Sequence, residues 1–187
     1  QMLKKRVSYE DYLSVSMAYI ESQQKPTPVL KEAATPNQER MQARAFVRLE
    51  CLFGFACNPC SFACPQGAIT KTSTSTVPQI DYEKCIGCMK CVNHCPGLAI
   101  FGYNTKKMEV YLPFEYEAQE KAEVYLVDNN GAKLAEGIIA KITKGDNKTS
   151  VARITVSGVS QEGLLNIKGF ILKENYPEQL KFSHIKE

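Results

Sequence analysis

The stretch Cys85-Ile86-Gly87-Cys88-Met89-Lys90-Cys91-Val92-Asn93-His94-Cys95-Pro96 spaces four cysteines as C-x2-C-x2-C-x3-C-P. An earlier run, Cys51, Cys57, Cys60 and Cys64 followed by Pro65, holds the other four of the chain's eight cysteines. Cys57, Cys60 and Cys64 recur 31 residues later as Cys88, Cys91 and Cys95 (88−57, 91−60, 95−64). Ala68-Ile69 recurs at the same offset as Ala99-Ile100. The chain therefore contains an internal repeat with a candidate metal ligand at almost every matched position.

This spacing has a physical reason. A cubane of iron and sulfide needs thiolates converging from several directions. A C-x2-C-x2-C loop curls around one face and supplies three of them, with backbone N–H groups free to turn toward the anion. In bacterial-type pairs of such sites the fourth cysteine, after the x3 step, ligates the other cluster. That rule predicts two crossed sets of ligands. One [4Fe–4S] cluster takes Cys64, Cys85, Cys88 and Cys91. The other takes Cys57, Cys60, Cys95 and a fourth ligand. Gly87, lacking a Cβ, lets the backbone approach its cluster. Pro65 and Pro96 fix φ where the chain leaves each site.

The first run departs from this pattern. By the repeat offset the partner of Cys85 is Gly54, which cannot bind iron. Either the loop Leu52–Ala56 is enlarged and Cys51 reaches in, or that cluster lacks a cysteine there. Ligation by Cys51 is expected, because it leaves no thiol over. Pro59, between Cys57 and Cys60, removes one N–H that could approach a cluster sulfur, so the two clusters are expected to be inequivalent. Zinc knuckles would use paired C-x2-C units, but not the third cysteine of each run or the C-P endings. Disulfide frameworks belong to small secreted chains. Here Lys4-Lys5-Arg6 is followed by polar Ser8, Glu10 and Asp11 in place of the apolar core of a signal peptide. His94 is expected to hydrogen-bond near a cluster and tune it, since four cysteines already fill the second run.

The rest of the composition excludes several functions. The formal charge is +3, and the basic residues are scattered, which gives no footprint for nucleic acid. No apolar run approaches the ~18 residues of a membrane span. There is no nucleotide-binding glycine fingerprint and no C-x-x-C-H for covalent haem. No catalytic group is evident. Thiolate-ligated clusters imply a reducing compartment, hence the cytoplasm.

The fold class expected is α+β, with three parts. Residues 1–44 form an arm. Within it, Ser8–Gln24 reads as a helix with Tyr9, Tyr12, Leu13 and Ile20 on one face, and the polar stretch Lys31–Ala43 is extended or helical. Residues 45–112 form a dicluster ferredoxin core. A strand over Ala45–Glu50 leads into it. One hairpin pairs Ala68–Lys71 with Val77–Ile80, and a second pairs Ala99–Tyr103 with Met108–Leu112. Residues 113–187 form a small β-barrel or sandwich module and tail. Its strands are expected at Glu123–Asp128, Lys133–Thr143, Thr149–Val156 and Leu164–Leu172, with a turn at Asn129-Asn130-Gly131.

Several segments together resemble one family of dicluster ferredoxins. They are Cys51-x5-Cys57-Asn58-Pro59-Cys60-x3-Cys64-Pro65, Gly67-Ala68-Ile69, Pro78-Gln79-Ile80-Asp81 and Cys95-Pro96-Gly97-Leu98-Ala99-Ile100. Leu112-Pro113-Phe114-Glu115-Tyr116, Val127-Asp128-x2-Gly131 and Lys148-Thr149-Ser150-Val151 extend the likeness over about residues 45–160. That family supplies the 4Fe–4S subunits of multi-subunit FAD-dependent amine or amino-acid dehydrogenases, of the proline and hydroxyproline type. The resemblance implies that Cys51 belongs to the ligand set, since the x5 gap is part of the family pattern. It also implies a flavoprotein partner whose electrons pass through two clusters to an acceptor. A free-standing soluble ferredoxin serving several oxidoreductases is the alternative, but a diffusible carrier needs neither the arm nor the β module.

Overall fold

The alternating stretch before the first cysteine run is a strand, Phe46–Leu49 (β1). In the computed structural model, residues 35–51, 56–73, 76–145 and 148–176 are described. The helix expected over Ser8–Gln24, with its Tyr9/Tyr12/Leu13/Ile20 face, lies outside them. Part of the polar stretch Lys31–Ala43 is helical, Gln38–Ala43 (α1). Its capping explains this better than any apolar stripe. The Asn37 side chain accepts from the Arg40 N–H at 2.8 Å, and Glu39 sits in the first turn, where the helix dipole favours an anion.

Strand β1 pairs antiparallel with Ile100–Asn104 (β4), and β4 with Glu109–Phe114 (β5). The sheet does not stop there. β5 pairs with Ser150–Ser157 (β8), which pairs with Lys133–Lys144 (β7). Glu123–Val127 (β6) and Gly169–Leu172 (β9) complete one seven-stranded sheet in the order β1-β4-β5-β8-β7-β6-β9. Strand β5 thus runs through the 112/113 boundary without a break. Pro113 sits where β5 pairs only with β8, so its missing N–H interrupts no second ladder. The C-terminal strands extend the sheet of the β4–β5 hairpin.

The fold is α+β, mostly strand with a few short helices. Its sheet rolls on itself. Phe170 of β9 meets Phe114 of β5 with ring centroids 5.3 Å apart. The Tyr103 hydroxyl donates to the Ile167 carbonyl at 3.0 Å. Period-two alternation then separates two cores. Phe46, Phe101, Tyr103, Val110, Leu112 and Phe114 point into the roll, with Val124, Leu126, Ile139, Ile154 and Phe170. Val47, Leu49, Ile100 and Val151 point to the opposite face, where they pack with Cys60, Cys85, Cys91 and Val92. Strand β4 is buried on both faces, and Gly102 leaves space that the Met89 thioether fills.

One expected strand is shorter than its apolar run suggested. In place of a strand from Leu164 there is a short helix, Gln161–Leu164 (α4), and β9 begins only at Gly169. The Ser160 hydroxyl accepts from the Gly163 N–H at 3.1 Å and starts the helix. Leu164 and Ile167 are fully buried, so the apolar signal reported burial and not extension. The turn at Asn129–Gly131 forms as expected, with Asp128 Oδ1 accepting from the Asn130 and Ala132 N–H groups and Gly131 at φ +80°.

Candidate metal centres

Two strand pairings decide where the cysteines meet. Strand β1 leads into the first run and pairs with β4, which leaves the second run; Leu49 lies opposite Ile100. The Glu50 N–H donates to the Ala99 carbonyl at 2.8 Å and carries the ladder one step further, bringing Cys51 toward Cys95. The mirror arrangement holds on the other side. Ile69–Thr70 (β2) leaves the first run and pairs with Gln79–Ile80 (β3), which leads into the second. There the Asp81 N–H donates to the Ala68 carbonyl, also at 2.8 Å, and the Cys85 N–H to the Asp81 carbonyl at 3.1 Å. Each run is therefore stitched at its entrance to the exit of the other.

The eight thiols consequently gather as two crossed quartets. Cys51, Cys57, Cys60 and Cys95 line one apolar cavity of ≈ 260 Å³. Cys64, Cys85, Cys88 and Cys91 line a second, tighter one of ≈ 20 Å³. Among the described residues no three such side chains close around a single ion-sized point. The first quartet instead shares the lining of one mostly apolar cavity, a donor set of four thiols of the kind that holds an iron–sulfur core. The second quartet encloses less space, and Cys88 is its exposed member. Burial pushes the Cys91 thiol up to about 12, and the neighbouring Cys85, Cys88 and Cys64 add to the shift. Burial raises Cys60 in the same way, reinforced by Cys95, Cys57 and Cys51. A thiol held up by burial in this way, as Cys60 and Cys91 are, ionises readily only beside a strong positive charge, which a metal core would supply.

The repeat extends to the backbone around the sulfurs. The short helices Pro59–Ala63 (α2) and Lys90–Asn93 (α3) carry Cys60 and Cys91. The Ala68 N–H donates to Cys64 Sγ at 3.2 Å, and its repeat mate Ala99 donates to Cys95 Sγ at 3.4 Å. Such bonds stabilise thiolate charge and raise a cluster's potential. The halves differ where the helices begin. Pro59 occupies the first turn of α2, where its absent N–H has no intrahelical partner to lose. The α3 helix is entered through Met89 in the left-handed region at φ +63°, whereas its mate Asn58 has φ −141°.

Other features add contacts around these runs. Gly87 has φ +68°, and an added Cβ would strike the Ala45 carbonyl; the close approach is to the neighbouring chain segment. His94 is held to its own helix, its Nδ1 2.8 Å from the Lys90 carbonyl. Arg40, 7% exposed, was not marked by any sequence signal. Its guanidinium donates to the carbonyls of Cys85 (2.7 Å), Tyr82 (2.9 Å), Arg44 (3.0 Å) and Ala45 (3.3 Å). It thereby clamps the entrance to the second run. Beside Cys51, Glu50 forms an ion pair with Lys168, which also donates to the Tyr103 hydroxyl at 3.0 Å and the Leu165 carbonyl at 2.8 Å. Arg48 lies 3.7 Å from the same carboxylate. No sequence pattern links residue 168 to residue 50.

Residues 78–101 match the 4Fe-4S binding domain. That segment runs from the approach to β3 into β4 and contains the whole second cysteine run. Two curated proteins are similar over parts of the chain. A selenate reductase subunit from Mesobacillus selenatarsenatis is 40% identical over 63 residues, 32% of this chain and 21% of that protein. The pyruvate synthase subunit PorD of Methanocaldococcus jannaschii is 43% identical over 44 residues, 24% of this chain and 50% of that protein. The chain thus spans a fifth of one relative and half of the other. No solved structure matches. The matched segment contains the four cysteines of the second run, and Cys64 of the first run lines one cavity with three of them, Cys85, Cys88 and Cys91. No helix among the described residues is long and apolar enough to cross a membrane.

Proposed function

We propose that this chain is an electron-transfer subunit of an oxidoreductase complex and holds two [4Fe–4S] clusters. Cys51, Cys57, Cys60 and Cys95 ligate the first; Cys64, Cys85, Cys88 and Cys91 ligate the second. The observation that carries this reading is the gathering of eight thiols into two crossed quartets, with three thiols of one quartet inside the segment that matches the 4Fe–4S binding domain. Bound clusters supply one-electron steps. The chain's own residues ligate, bury and hydrogen-bond: the Ala68 and Ala99 amides tune the sulfurs, and Arg40 holds the loop at Cys85.

The partner is an enzyme that carries out the chemistry elsewhere. The two relatives are named as subunits of a selenate reductase and a pyruvate synthase, which supports membership of a complex. A FAD-containing dehydrogenase of an amine or amino acid rests on the motif resemblance over residues 45–160. Two one-electron centres suit a flavin, because they can take its two electrons in turn. Cytoplasmic location follows from the need for reduced thiols. A free-standing ferredoxin is disfavoured by the sheet, which continues through β5 into four more strands that a diffusible carrier would not need. Anaerobic purification from the native cells tests the reading. The expected result is co-elution with a larger, flavin-bearing protein that reduces both clusters. Elution as a lone chain, reducible by several unrelated enzymes, favours the free carrier.

A further inference from the structure

A groove of ≈ 630 Å³ lies where the end of β7 meets α3 and the Cys88 loop. Its rim is basic: Lys90, His94, Lys141, Lys144 and Arg153 line it, with Cys88 between them. Lys90, Lys141, Lys144 and Cys88 are exposed. Arg153 has Glu109 at 3.8 Å, but among the described residues no carboxylate pairs with Lys90, Lys141 or Lys144.

The groove is built into the sheet. Strand register places Lys141 directly opposite Arg153, and Thr143 opposite Val151. Like charges facing each other across an antiparallel pair destabilise a sheet, so this arrangement has a cost that an incoming anion would offset. Asn93, 7% exposed, donates from Nδ2 to the Thr143 carbonyl at 3.2 Å and fixes α3 against β7, while its Oδ1 has no partner among the described residues. The other half of the repeat lacks this construction. The mate of Asn93 is Phe62, which is 86% exposed.

We propose that this groove docks an acidic surface of a redox protein and that electrons pass there by way of Cys88. This rests on the cluster reading above. One electron leaves the cluster held by Cys64, Cys85, Cys88 and Cys91, and one acceptor centre in the partner is reduced by it; no bond forms or breaks. The occupant is identified by charge complementarity: three lysines with no carboxylate partner among the described residues, and Arg153, share the groove with the exposed thiol of the quartet, Cys88. A positive cleft beside the exit point also raises the encounter rate of an acidic partner by about ten- to a thousandfold at low salt.

The test uses the holoprotein and two kinds of probe. In fluorescence anisotropy at low ionic strength, labelled decaglutamate should bind and labelled decalysine should not. Lys141→Glu with Lys144→Glu should weaken decaglutamate binding about tenfold or more, with iron content unchanged. Lys106→Glu with Lys107→Glu, outside the groove, should leave it unchanged. In stopped flow, the reduced Lys141→Glu/Lys144→Glu protein should be oxidised more slowly by anionic ferricyanide and faster by cationic hexaamminecobalt(III). A mere change of cluster potential moves both rates in one direction and would overturn the port. So would decaglutamate binding that is absent, or equally weakened by the control pair. A chain without iron overturns the cluster reading itself; iron without charge discrimination overturns the port alone.

Discussion

Arg40→Met is the perturbation that most directly probes how the second site is held. The side chain is 7% exposed and donates to four carbonyls, the shortest bond being 2.7 Å to Cys85. Methionine keeps much of the apolar stem and removes every donor. Hydrogen bonds from a charged group contribute about 1.5–3 kcal/mol each, so four at the low end amount to about 6 kcal/mol. Returning a buried guanidinium to water recovers several kcal/mol, which leaves a net loss of about 3 kcal/mol. At about 1.4 kcal/mol per tenfold, opening of the Cys85 loop becomes roughly a hundredfold more frequent. The assay is the anaerobic rate of iron release to a chelator, followed by visible absorbance. One cluster should bleach roughly a hundredfold faster and the other near the parent rate. Arg40→Lys keeps the charge without the planar fork and should fall between. Release within threefold of the parent would refute the clamp.

Cys51→Ala should leave three thiols at the first site and favour loss of one iron to a [3Fe–4S] form, while the second cluster survives; an unchanged EPR spectrum with full iron would make Cys51 a structural thiol. Lys168→Met removes a half-buried positive charge paired to Glu50 beside Cys51, so the first cluster's potential should fall by on the order of tens of millivolts and the second should stay put; equal shifts in a redox titration would contradict this placement. Gly87→Ala should destabilise the holoprotein by about 1–3 kcal/mol, because φ is +68° and the new Cβ meets the Ala45 carbonyl. Gly97→Ala, with nothing within 4 Å of its Cβ position, should be close to neutral in the same denaturation assay.

The way the two cysteine runs come together was legible because spacing and repeat act locally: a C-x2-C-x2-C loop has few ways to fold, and the second run repeats the first. Hairpins β2–β3 and β4–β5 were legible from period-two alternation beside turn residues. The continuity of the sheet was not. Nothing in Pro113 announces that β5 goes on to pair with β8, and proline in a strand argues the other way. Strand pairing between distant segments leaves no spacing signal, so neither the roll that buries Tyr103 against Ile167 nor the Lys168–Glu50 pair could be read from the chain. Arg40 was hidden for a related reason. Its partners are backbone carbonyls, which every residue possesses, so no partner side chain marks it. A second constraint on Gly87 was hidden too, since the segment that crowds it, Ala45, arrives between α1 and β1.

The central claim is that eight thiols hold two four-iron clusters, and metal analysis tests it most directly. Protein purified without oxygen should contain about eight iron and about eight acid-labile sulfide per chain, the stoichiometry of two cubanes. Zinc without labile sulfide, or only about four iron after full reconstitution, would contradict it.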